Sequence, residues 1–126
     1  MIGILLVTHG RLAEELRAAA LTIQPGLERI VAVALDWSET GEDASEKIRR
    51  GLEEAEAGGG AVILTDMFGG TPTNLTLPFL SKDRVEIVTG VNLPMVLKCA
   101  QLQKSGRPVD EIAHVVHVER CLPGGC

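Results

Sequence analysis

The sequence predicts an α/β domain: an open parallel sheet of four strand–helix units with helices on both faces. Two observations carry that reading. Short runs of consecutive apolar residues alternate along the chain with stretches whose apolar residues recur at helical spacing. The 126 residues, 45% of them apolar, suffice for a real core and are too few for two domains, so residues 1–126 read as a single domain. Aromatic residues make up only 2% (Trp37, Phe68 and Phe79), which leaves the core to aliphatic side chains.

Each element has its own justification. Residues 2–7, Ile-Gly-Ile-Leu-Leu-Val, form a run short enough for a buried strand, and Thr8-His9-Gly10 follows at once. Leu12, Leu16, Ala19, Ala20 and Ile23 then mark a helix that Pro25-Gly26 stops. Residues 30–35 are the second strand, and a polar loop from Asp36 to Glu42 leads into a helix striped by Ala44, Ile48, Leu52 and Ala55. Gly58-Gly59-Gly60 ends that helix, and residues 61–65 are the third strand. Thr71-Pro72 opens the next helix as a hydroxyl cap followed by proline, and Pro78 cuts it short. Residues 85–89 are the fourth strand; Asn92 caps a helix carrying Leu93, Val96, Leu97 and Ala100 inward, which Ser105-Gly106-Arg107-Pro108 breaks. Residues 109–118 fit two patterns, a helix through Val109, Ile112, Ala113 and Val116 or a strand over 114–118, and the helix is favoured. The tail, 121–126, reads as irregular.

Charge and composition exclude several functions. A net charge of −5 and few aromatic residues argue against nucleic acid, whose phosphates need a basic surface. No apolar run approaches transmembrane length, and no basic segment precedes the first apolar run as in a signal peptide, so a cytoplasmic protein is expected. The three cysteines then read as reduced thiols, Cys99 as a packing residue. Cys121, Cys126 and His117 match no familiar zinc spacing, and neither a metal nor a cofactor is called for.

The chemistry is expected where strands end. In a parallel sheet the loops after residues 7 and 65 leave the carboxyl ends of neighbouring strands at a topological switch point. One loop carries His9 and the other Asp66. A neutral imidazole is nucleophilic near pH 7, and a carboxylate accepting Nδ1–H leaves Nε2 free to attack. Amides after Gly10, amides around Gly69 and Gly70, and the Thr71 hydroxyl could cradle a tetrahedral anion. Met67 and Phe68, apolar side chains in a glycine-rich loop, suggest a partner surface that Asn92 and Met95 would extend, with Leu93 either joining it or facing the core. His114 and His117 read as surface or packing residues.

Three segments in order, Val7-Thr8-His9-Gly10, then Thr65-Asp66-Met67-Phe68-Gly69-Gly70-Thr71-Pro72-Thr73-Asn74, then Gly90-Val91-Asn92-Leu93-Pro94-Met95, resemble the enzyme IIA domain of the mannose-type sugar phosphotransferase system. The resemblance covers about the first hundred residues and implies a phosphocarrier. It implies that His9 takes a phosphoryl group from phospho-HPr and passes it to a separate IIB protein, which phosphorylates sugar at a membrane permease. It further implies that Asp66 orients the histidine, that the Thr71 hydroxyl helps hold the phosphoryl group, and that a fifth, antiparallel C-terminal strand can be exchanged in a homodimer. Family members often have Trp and Ser where this chain has Phe68 and Thr71, residues of the same chemical type. Only Cys121-Leu122-Pro123-Gly124-Gly125-Cys126 follows Arg120, so a fifth strand would have to come from residues 114–118.

Three other readings stand beside this one. A hydrolase would use Thr71 as nucleophile with His9 and Asp66, but the Gly-x-Ser-x-Gly elbow is missing. A flavodoxin-like binding module lacks Gly-x-Gly-x-x-Gly after its first strand and aromatic residues to stack on a flavin. A regulatory phosphocarrier would report phosphorylation state without sugar transport.

Overall fold

The computed structural model describes residues 1–56, 58–67, 71–81 and 84–119. In chain order the elements are β1 (Gly3–His9), α1 (Leu12–Ile23), β2 (Ile30–Leu35), α2 (Gly41–Ala55), β3 (Ala61–Thr65), α3 (Thr71–Thr76), a 3₁₀ turn (Leu77–Phe79), β4 (Val85–Val88), α4 (Leu93–Leu102) and α5 (Val109–Glu119). The strands lie in the order β2-β1-β3-β4 and every pairing among them is parallel. Central β1 runs beside β2 from Ile4↔Ile30 to His9↔Leu35 and beside β3 from Gly3↔Ala61 to Val7↔Thr65.

Covering both faces of the sheet explains why its strands are continuous apolar runs rather than alternating ones. Along β1, Ile4 and Leu6 face a core shared with α1, α4 and α5, while Leu5 and Val7 face a second core shared with α2, Leu75 and Phe79. Val62 and Leu64 join the first core and Ile63 the second. Each such fully buried aliphatic side chain stabilises the fold by roughly 1.5–3 kcal/mol. The chain steps outward from β1 to β2 and then back across β1 to β3. A constant crossover hand therefore puts α2 on the face opposite α1, and the loops after β1 and β3 part around a crevice.

Local details differ from the sequence reading. The α1 stripe is rotated: Ala13 and Ala20 are the fully buried residues, while Leu12 and Ile23 are exposed. Small alanines let α1 lie close to the sheet, which hydropathy alone does not reveal. The second helix begins two residues early, at Gly41, because the Thr40 hydroxyl accepts from the Asp43 amide at 3.1 Å. Residues 109–118 are helical as favoured, with Val109, Ile112, Ala113 and Val116 buried against β4 and α4, so this segment supplies no fifth strand. Residues 121–126 lie outside the described residues. Cys99 is fully buried in α4 and its thiol is pushed up to about 12 by burial, in keeping with a packing role.

Gly3 is required by space. A Cβ there would stand 2.0 Å from the Ala55 carbonyl oxygen, at the point where the end of α2 crosses the start of β1. Backbone cannot move aside as a flexible side chain can. Gly3→Ala is therefore expected to cost about 3 kcal/mol or more, the upper end of overpacking, and to lower Tm by roughly 10 °C in a chain of this size. Thermal unfolding followed by circular dichroism measures it.

Candidate active site

The site is assembled from the ends of β1, β2 and β3. β1 stops at His9 because Gly10 turns away with φ +55, and the Gly10 N–H closes the ladder to β2 on the Leu35 carbonyl at 3.0 Å. A Cβ at Gly10 would meet nothing within 4 Å, so the backbone angle, not crowding, calls for glycine. Thr8, buried just before, accepts from the Ala13 amide at 2.7 Å and so ties the strand end to the first turn of α1.

Asp66 meets His9 across the crevice. One oxygen, Oδ2, accepts both the His9 backbone N–H at 2.9 Å and the ring Nδ1 at 2.7 Å. An ionised carboxylate only accepts, so its partner nitrogen must be Nδ1–H, and the neutral ring then has its lone pair on Nε2. The side chains are only 20% and 14% exposed, which shields the contact from bulk water. Asp66 Oδ1 is buried with no hydrogen-bond partner among the described residues.

The Asp66 loop is held by two threonines that sequence reasoning missed. Thr73 Oγ1 donates to the Met67 carbonyl at 2.6 Å. Its single proton is then engaged, so the Thr65 hydroxyl is the donor in their 2.7 Å contact. Both are buried. Thr73→Val keeps the shape but leaves the Met67 carbonyl and the Thr65 hydroxyl unpaired. A loss of about 1–3 kcal/mol is expected, with faster amide hydrogen exchange concentrated around Asp66 and Met67.

Trp37 was also missed. Its indole lies against the His9 imidazole with centroids 4.7 Å apart and planes 19° from parallel. A signal was present, since Trp37 stands two residues past the end of β2 on the rim that carries His9 and Asp66. His9, Leu35, Trp37, Thr40, Thr71 and Leu75 line one cavity of about 240 Å³.

The other expected site residues divide. Thr71 is exposed at the start of α3 and lines that cavity with His9. Met67 is exposed beside Asp66. Phe68, Gly69 and Gly70 lie outside the described residues. The N–H of Gly10 itself is taken up by the Leu35 carbonyl, so of that turn only the amides after Gly10 are left for an anion. The apolar patch near Asn92 needs correction: Asn92 Oδ1 caps α4 by accepting from the Met95 amide at 2.9 Å, Met95 is fully buried, and Leu93 packs on the core. His114 and His117 line a different cavity, beside β4. Among the described residues no group of three or more His, Cys, Asp or Glu is placed to hold a metal, and no helix is long and apolar enough to cross a membrane.

Known proteins resemble this chain in sequence and in fold. Residues 3–116 match the family model EIIA-man, the PTS system fructose IIA component. The PTS system fructose-specific EIIA component of Bacillus subtilis is 29% identical over 105 residues, 82% of this chain and 72% of that protein. The PTS system mannose-specific EIIAB component of Escherichia coli is 28% identical over 112 residues, 88% of this chain, which spans about a third (35%) of that longer protein. The phosphotransferase system component EIIA from Streptococcus agalactiae has the same fold, with a TM-score of 0.83 at 21% identity over 94% of this chain and 92% of that one. Because the family match runs from the first strand into the last helix, the chain belongs to the EIIA-man family of phosphotransferase-system IIA components.

Proposed function

We propose that this IIA component carries phosphoryl groups on His9, taking them from phospho-HPr and handing them to a separate IIB protein for sugar uptake. The observation that carries the reading is the 2.7 Å contact between His9 Nδ1 and Asp66 Oδ2, which leaves Nε2 as the nucleophile. The Nε2 lone pair forms a bond to phosphorus as the bond from phosphorus to the donor breaks, its electron pair leaving on the donor. Nδ1 keeps its proton throughout, and Asp66 faces the positive charge that the ring takes up. Transfer to IIB is the same step reversed onto a new acceptor. Such chemistry asks mainly for positioning and electrostatics, and the tied strand end and threonine-held loop supply the first.

Thr71, on the cavity that holds His9, and the amides around Gly69 and Gly70 are assigned to the phosphoryl oxygens. The exposed Met67 and its neighbour Phe68 are assigned to partner contact, in a protein working in the cytoplasm and meeting the membrane only through its permease. Family membership favours this over a hydrolase built on Thr71. Incubation with phosphoenolpyruvate, enzyme I and HPr is expected to place one acid-labile, base-stable phosphate on the chain. No incorporation with active enzyme I and HPr would refute the reading.

A further inference from the structure

We propose that Trp37 is a positioning residue for His9: its indole fixes the plane of the imidazole and favours the positive charge that the ring gains when Nε2 bonds to phosphorus. The proposal rests on His9 being the phosphoryl acceptor, and the test below separates the two.

Trp37 needs an explanation, because at 80% exposure it contributes nothing to either core. Among the described residues its one ring contact is with His9, face to face at 4.7 Å. Two groups among the described residues engage the imidazole directly. Asp66 holds its Nδ1 edge and Trp37 covers one face, leaving the Nε2 edge for the reacting phosphorus.

The tryptophan is held there by its loop. Asp36 Oδ1 accepts from the Ser38 amide at 3.1 Å and the Ser38 hydroxyl at 3.2 Å, closing a turn with Trp37 at its centre. Glu39 Oε1 accepts from the Asp36 amide at 2.7 Å, and Lys47 Nζ bridges Glu39 at 3.2 Å to the Ala34 carbonyl at 2.7 Å. The register finishes the placement: His9 pairs with Leu35, so the chain two residues later passes beside the ring. A loop tied at Asp36, Ser38 and Glu39 holds the Trp37 backbone beside the ring, and the stacking contact lays the indole against it.

Electrostatics gives that pose a consequence. The neutral imidazole bears no charge, whereas the ring bonded at Nε2 and protonated at Nδ1 bears a positive one. An indole face attracts a cation through its quadrupole. The attraction thus grows along the reaction, which is the condition for an interaction to speed transfer rather than merely tighten the resting state.

The test measures single-turnover phosphorylation of the full chain by phospho-HPr across donor concentrations. Trp37→Leu and Trp37→Ala are expected to lower the rate at saturating donor about two- to fivefold, the range expected of an exposed cation–π contact. Trp37→Phe, which restores an aromatic face, should recover most of the loss. Because Trp37 is the only tryptophan, its emission should also change on phosphorylation of the parent and stay constant in His9→Asn under the same treatment. An unchanged saturating rate in Trp37→Leu, with only more donor needed to reach it, would make Trp37 a docking contact and overturn the proposal. Equal rates for the Leu and Phe variants below the parent would overturn the electrostatic part. A parent chain that takes up no phosphate at His9 is a different result, one that removes the carrier reading itself.

Discussion

His9→Asn is expected to fold like the parent and to accept no phosphate from phospho-HPr. Asparagine has no nucleophilic nitrogen, since its amide lone pair is delocalised into the carbonyl. The fold should tolerate the change. The backbone N–H of residue 9 still reaches Asp66 Oδ2, and the side chain lies at the rim rather than in either core. What is lost is the ring contact with Trp37 and one hydrogen bond, together about 1 kcal/mol. Acid-labile label and a melting curve measure the two effects separately. Phosphate that persists in the variant and maps to His114 or His117, which line another cavity, would transfer the carrier role to α5.

Asp66→Asn is expected to leave a folded chain that accepts phosphate much more slowly, by tenfold at least. The corresponding change in a serine-protease triad, about 10⁴ in rate, is the ceiling. Both orientations of the amide are poor. With its oxygen toward His9 the two contacts to Oδ2 survive, but the negative charge is gone and the NH₂ group takes the buried place of Oδ1, where no described residue accepts. With its NH₂ toward His9 a donor meets the backbone N–H, and the ring must turn its lone pair to Nδ1, which puts the proton on the attacking nitrogen. Initial rates of label uptake at matched protein concentration check this. Parent-like rates would show that Asp66 only braces the end of β1.

The sheet, its order and the His9–Asp66 meeting were legible because two strong patterns coincide. Apolar runs such as 30–35 and 61–65 have few other solutions in a small domain, and topology then sends the loops after β1 and β3 to the same crevice. What escaped was set by spacing in three dimensions. Trp37 looked like one residue of a polar loop, and only the parallel register brings it onto His9. Thr65 and Thr73 lie eight residues apart and look like ordinary strand and helix threonines until the turn folds them together. Leu12 and Met95 exchanged their expected surroundings, because the small shift that brings Ala13 onto the sheet turns Leu12 outward, while the cap at Asn92 turns Met95 inward. Hydropathy ranks residues but does not fix the rotation of a helix about its axis.

The sharing of one Asp66 oxygen by the backbone and the ring of His9 bears on how free energy passes through the molecule. A ring bonded to the same atom as its own main chain cannot swing between a loading pose and an unloading pose without breaking that contact. With His9 as carrier, one geometry then serves donor and acceptor, and the step toward IIB retraces the step from HPr. In the proposed carrier no binding free energy need then be spent on reorienting the ring at each transfer. The proposed cycle thus needs no turn of the ring between one partner's departure and the next one's arrival.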